Sequence, residues 1–234
     1  MDSENRMSVR RALIPLVLAL FAARCSDRMP PTAARLPVAT APHFLEWAGG
    51  AAPQFAATGA LPGRLGTGGR GLMASATSGL SLSQYSAAFW AVRGQERAVQ
   101  LNYLSATGDT GSQFLRLVIL DPTYAPGQGD LALGDSVLVT VTVDPTNIKV
   151  SLEPTGLQFG EPAQLQMSYG GANGDLNGDG IVDSTDAYIE SQLLGLWYRE
   201  GGDSAWTQVS ATRSLADKAF TSLLPHFCEY AVSW

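Results

Sequence analysis

The chain has 234 residues, enough for one core of roughly 150 residues with segments to spare, and 45% of them are hydrophobic, which excludes wholesale disorder. Only 15% are charged and the net charge is −6, so the basic footprint that nucleic-acid binding requires is missing.

The chain opens on an export pattern. Arg6, Arg10 and Arg11 precede the apolar run Ala12 to Ala23, which has about the length of a signal h-region and is too short to span a bilayer. Cys25 follows at once in Ala22-Ala23-Arg24-Cys25-Ser26-Asp27, a stretch that resembles a bacterial lipoprotein junction. That resemblance implies a lipid anchor on Cys25. Arg24 departs from the small residue such junctions carry, and ordinary cleavage near Ala22 or Ala23 is the alternative. Residues 1–25 are therefore read as an export signal and the mature chain as periplasmic, surface-bound or extracellular.

Residues 26–80 are rich in Ala, Pro, Gly, Ser and Thr, as in Leu61-Pro-Gly-Arg-Leu-Gly-Thr-Gly-Gly-Arg70, and keep no period of 3.6 or 2. Such a segment reads as a tether with no site in it, with His43 and Trp47 inside it.

From residue 81 short alternating runs are separated by turn residues. In Ser136 to Val143, Val137, Val139, Val141 and Val143 share one face, with Leu138, Thr140 and Thr142 opposite. Similar runs are Ala87–Val92, Ala98–Ser105, Phe114–Leu120, Ile148–Leu152, Gln164–Tyr169, Leu194–Arg199, Ala205–Val209 and Phe227–Trp234, punctuated by Asp121-Pro122, Asp144-Pro145 and Glu153-Pro154. Many short strands at this spacing predict an all-β fold, an antiparallel β-sandwich of immunoglobulin-like kind, over residues 81–234. A membrane barrel needs lipid-facing alternation over about 9–11 residues per strand, and most of these runs are shorter or broken.

One segment interrupts that texture. Residues 175–186 read Asp-Leu-Asn-Gly-Asp-Gly-Ile-Val-Asp-Ser-Thr-Asp, which as a twelve-residue loop puts side-chain oxygens at positions 1, 3, 5, 9 and 12, glycine at the sharp turn of position 6 and Val182 at position 8. A hard cation takes several oxygens at once. The expected calcium ligands are Asp175, Asn177 and Asp179 by side chain, Ile181 by its carbonyl, Asp183 through water and Asp186 as the closing carboxylate. These residues resemble the dockerin repeat, whose loop leads into a short helix; Ala187 to Leu194 can supply it, with Ile189, Leu193 and Leu194 on one face. A true dockerin carries two such repeats and this chain has one. The loop falls between two strand runs, so an insertion spanning 174–195 is expected, its ion structural; a cohesin-type partner is the alternative that the resemblance implies.

Val150 to Tyr169, Leu196-Trp-Tyr-Arg-Glu200, Trp206-Thr-Gln-Val209 and Pro225-His226-Phe227-Cys228-Glu-Tyr230 resemble the ZU-five domain shared by ankyrins, netrin receptors and zonula-occludens proteins. The resemblance implies a sandwich that mediates protein contacts. It also implies a third possibility, since some members cleave themselves at a His-Phe-Ser motif for which His226-Phe227-Cys228 would stand here. Independently of any family, two His, no Gly-x-Ser-x-Gly and no phosphate-binding glycine loop argue against an enzyme. The function expected is a non-enzymatic binding or structural module that holds one calcium ion, its partner another protein or a cell-surface component.

Overall fold

The computed structural model describes residues 42–59, 85–201 and 205–234. The export signal, Cys25 and most of the tether lie outside the described residues. The strands are β1 (Phe55–Gly59), β2 (Ser86–Val92), β3 (Arg97–Leu104), β4 (Thr110–Ile119), β5 (Pro122–Ala125), β6 (Gly129–Asp130), β7 (Ser136–Val143), β8 (Lys149–Glu153), β9 (Gln158–Ser168), β10 (Gly195–Arg199), β11 (Thr207–Gln208), β12 (Ala211–Ser214), β13 (Ala219–His226) and β14 (Glu229–Ser233), with one α-helix, α1 (Ser184–Tyr188). They form two sheets. One runs β1-β3-β4-β9-β13-β12, with β5 and β6 added at the start of β9; the other runs β11-β10-β14-β8-β7-β2. The strand pairs are antiparallel, and the expected all-β sandwich is the fold.

Alternation decides which way each strand faces. Val137, Val139, Val141 and Val143 of β7 are buried between the sheets, whereas Leu138 on the other face is exposed beside Trp90 of β2. Leu115, Leu117 and Ile119 of β4, Leu165 and Met167 of β9, and Phe220 and Leu224 of β13 close the core from the other sheet. Pro225, which cannot donate to a ladder, sits where the β13–β9 register slips, between Leu224 and His226.

The expectation of a tether over 26–80 fails for residues 42–59. Phe55 to Gly59 pair with Tyr103 to Val99 as an edge strand of the larger sheet. Ahead of them, residues 43–48 form a strap along the smaller sheet: the Leu45 N–H donates to the Val232 carbonyl at 3.1 Å, and the Leu45 carbonyl accepts from Ile148 N–H at 2.7 Å. Trp47 is 2% exposed, lies edge-on to Phe114 with ring centroids 5.1 Å apart, and donates its indole N–H to the Asp144 carbonyl at 2.8 Å. Two glycines make this docking possible. A Cβ on Gly171 would fall 2.6 Å from the Trp47 ring, and one on Gly59 would strike the Ala98 carbonyl oxygen. Single large apolar residues among Ala, Gly and Pro carry no periodicity, which is why the segment reads as linker in the sequence.

The turn between β7 and β8, which receives Trp47, is held by Asp144. Its carboxylate accepts from the N–H groups of Thr146 at 2.9 Å and Asn147 at 2.7 Å and pairs with Lys149 at 3.0 Å. Burial alone would raise its pKa, but the Asn147 N–H, the Lys149 ammonium and the Thr146 N–H together hold it below the usual carboxylate range. A depressed carboxylate contributes stability that is present above its unfolded pKa of about 3.9 and disappears as pH falls through the folded value. Wild type should therefore lose more stability than Asp144→Asn below about pH 4, as read by urea unfolding at stepped pH. Parallel acid limbs for the two proteins would contradict the assignment.

Candidate metal centre

A short turn leads from the end of β9 into the insertion expected over 174–195. Ser168 Oγ accepts from Gly170 N–H at 3.1 Å, Gly170–Ala172 makes a 3-10 turn, and Asn173 takes the left-handed conformation at φ 53°. The chain then enters the predicted loop, in which short polar side chains turn back onto the backbone just ahead of them. The Asp175 carboxylate accepts from the N–H groups of Gly178 and Gly180, both at 2.8 Å. Asn177 Oδ1 accepts from Asp179 N–H at 3.0 Å, and Asp179 Oδ1 from Ile181 N–H at 2.8 Å. The turn at position 6 needs its glycine, because Gly180 has φ +84°.

The far end closes on helix α1. Asp183 is its N-cap, with Oδ1 accepting from Thr185 N–H at 2.6 Å, and Asp186 completes a capping box by accepting from Asp183 N–H at 2.8 Å. The other oxygen of Asp186 accepts from Leu176 N–H at 2.6 Å and from Asn177 N–H at 3.3 Å. Asp186 thus ties the first residues of the loop to the last. Asp186 is buried, and the Asp183 N–H first, then those of Leu176 and Asn177, hold its pKa below the ordinary value.

Past Tyr188 the helix widens into a π-turn over Ile189–Leu193, in which the Leu194 N–H reaches the Ile189 carbonyl at 2.9 Å. That five-residue step corrects the expected apolar face. Ile189 and Leu194 are buried with Leu176, whereas Leu193 is 40% exposed. Position 8 is also turned outward: Val182 is 64% exposed, beside Ile181 at 63% and Tyr188 at 57%.

The six predicted ligands therefore lie on one compact loop, and the structure brings them together through backbone bonds more than through one another. Asn177 Nδ2 donates to Asp179 Oδ2 at 2.9 Å, the one side-chain contact described within the set. Among the described residues no three His, Cys, Asp or Glu side chains converge as a ready cage. The chemistry of the donor set nevertheless fits a hard cation. All donors are oxygens, there is no Lys or Arg between positions 175 and 186, and a carboxylate with about four lone-pair sites keeps some free after accepting two or three N–H groups.

One partner of the loop has no local signal in the sequence. The C-terminal residue, Trp234, donates its indole N–H to the Leu176 carbonyl at 3.0 Å across 58 positions of chain. The His226-Phe227-Cys228 motif lies elsewhere, on β13 and the turn into β14. Cys228 is 1% exposed, burial pushes its thiol up to about 11, and the thiol donates to the Glu229 carbonyl at 3.6 Å. His226 Nε2 faces Glu200 Oε1 at 3.2 Å.

No family model matches the chain, and no curated protein matches it. No helix of the described residues is long and apolar enough to cross a membrane.

Proposed function

We propose that the chain is a non-enzymatic, exported binding or structural module of the cell surface or periplasm, stabilised by one calcium ion in the loop 175–186. The observation that carries the reading is the loop's conformation. A glycine at φ +84° in position 6, the position-1 carboxylate folded onto its N–H, and positions 9 and 12 acting as cap and capping-box partner of the following helix are what a twelve-residue calcium loop requires of its backbone. In that site Asp175, Asn177, Asp179 and Asp186 would hold the ion by side chain, Ile181 by its carbonyl and Asp183 through water; the ion would supply the positive charge that four neighbouring carboxylates lack. The resemblance of Val150 to Tyr169 and Pro225 to Tyr230 to ZU-five domains would imply a role in protein contacts rather than catalysis.

A dockerin-like partner site is the second reading, favoured by the exposed Ile181, Val182 and Tyr188 beside the loop. Self-cleavage at Phe227-Cys228 is disfavoured, because a buried thiol whose pKa is raised to about 11 is a poor nucleophile.

Limited proteolysis separates these from a simple Asx-rich turn. With calcium the exposed stretch from Gly178 to Thr185 should resist cleavage, and with chelator it should be nicked first. Equal cleavage with and without calcium would remove the ion from the account.

A further inference from the structure

The C-terminal tryptophan stands where three parts of the chain meet. Its indole N–H bonds to Leu176 in the loop, and its ring stacks on His43 with centroids 4.6 Å apart and planes 27° apart. Its backbone pairs with the same residue in both directions: His43 N–H donates to the Trp234 carbonyl at 2.9 Å, and Trp234 N–H to the His43 carbonyl at 3.2 Å. Ser233, fully buried, adds its hydroxyl to that carbonyl at 2.7 Å. Leu176 is itself bracketed, with its N–H on Asp186 and its carbonyl on Trp234. A series of contacts therefore runs from the closing carboxylate of the loop, through the N–H and carbonyl of Leu176 and one indole, to the first residues of the strap. The strap's other end meets the 3-10 turn that leads into the loop, where Ala48 N–H donates to the Gly171 carbonyl at 2.9 Å.

We infer that Trp234 is a latch coupling the loop 175–186 to the strap 43–48: ordering the loop holds the strap in the sandwich, and loosening the loop lets the strap open. The latch itself follows from the bonds above; calcium as the effector that sets it rests on the proposed function. The strap supplies Trp47 to the core, so the latch decides whether the smaller sheet keeps its cover at that end. It is a conformational device, since one side chain joins a loop carbonyl to a strap more than 100 positions away in the chain.

Amide hydrogen exchange on the full-length protein tests it. Asp186→Ala should raise exchange at His43, Leu45, Trp47 and Ala48 by about 10-fold or more while Val139 and Val141 in β7 stay unchanged. Trp234→Phe keeps a ring on His43 but removes the N–H. In that background the same loop change should add less than about 2-fold, the non-additivity expected of coupled sites. Gly180→Ala, strained at φ +84°, serves as the loop change if Asp186→Ala does not fold. Strap exchange that ignores the loop change, or an equal increment with and without the indole N–H, overturns the latch. Adding calcium to wild type should slow strap exchange and chelator should restore it. A cycle that holds while calcium has no effect keeps the latch and overturns calcium as its effector.

Discussion

Trp47→Ala is expected to destabilise the domain by about 3–5 kcal/mol, the usual cost of truncating a fully buried large aromatic. The residue fills a site built for it. Its ring meets Phe55 and Phe114, its edge occupies the space a Cβ on Gly171 would take, and its N–H satisfies the Asp144 carbonyl. Alanine would leave a cavity among the first two and an unpaired carbonyl at the third, so transfer, cavity and hydrogen-bond losses act in one direction. For a domain of this size each kcal/mol lowers Tm by about 2–4 °C, which puts the drop at about 6–20 °C. Trp90→Ala is the control, because Trp90 is 39% exposed on β2 and should cost little. Equal, small effects at the two positions would mean that the strap is not part of the core.

Calcium is expected to raise stability by RT ln(1 + [Ca²⁺]/Kd), about 2.7 kcal/mol at 100 times Kd, and chelator to remove the gain. Extracellular calcium modules bind at about 10⁻⁴–10⁻³ M, so a gain of that size calls for about 10 mM calcium or more. Asp175→Ala should abolish it twice over, since that carboxylate is both the position-1 oxygen and the acceptor for Gly178 and Gly180. Asp179→Ala should abolish it as well while disturbing the backbone less, because one backbone N–H, that of Ile181, loses its acceptor rather than two, along with the side-chain bond from Asn177. Melting curves of the three proteins, with and without calcium, check this. Variants that melt at their own temperatures yet keep the full calcium increment would place the ion elsewhere.

Particular residues show what the sequence could and could not disclose. The valines of β7 announce their strand because period-2 alternation survives in the chain itself, and Gly180 announces its turn because few residues can adopt φ +84°. The Asp-Asn-Asp-Gly spacing likewise marked the turns of the loop, but the helix expected from Ala187 begins at Ser184, inside the loop, because Asp183 caps it. Other parts depend on partners far away in the chain. Strand β1 is Phe-Ala-Ala-Thr-Gly, unremarkable until Tyr103 to Val99 lie beside it, and β13 carries its inward Phe220, Ser222 and Leu224 ahead of Pro225, its next-to-last residue. The ties of Trp47 to Gly171 and of Trp234 to Leu176 have no local period at all. The π-turn reverses the expected place of Leu193 for a related reason: adding one residue to a helical turn changes every side chain after it, and burial of Ile189 and Leu194 against the sandwich selects that register.

Titration calorimetry of the calcium-stripped protein with calcium, and in parallel with magnesium, addresses the calcium reading most directly. A flexible all-oxygen loop should take one calcium ion per chain saturably, with magnesium much weaker because it demands a tighter octahedral site. Asp179→Ala should show no saturable heat. An absence of calcium binding by the folded wild-type protein, or binding that Asp179→Ala leaves intact, would contradict the account.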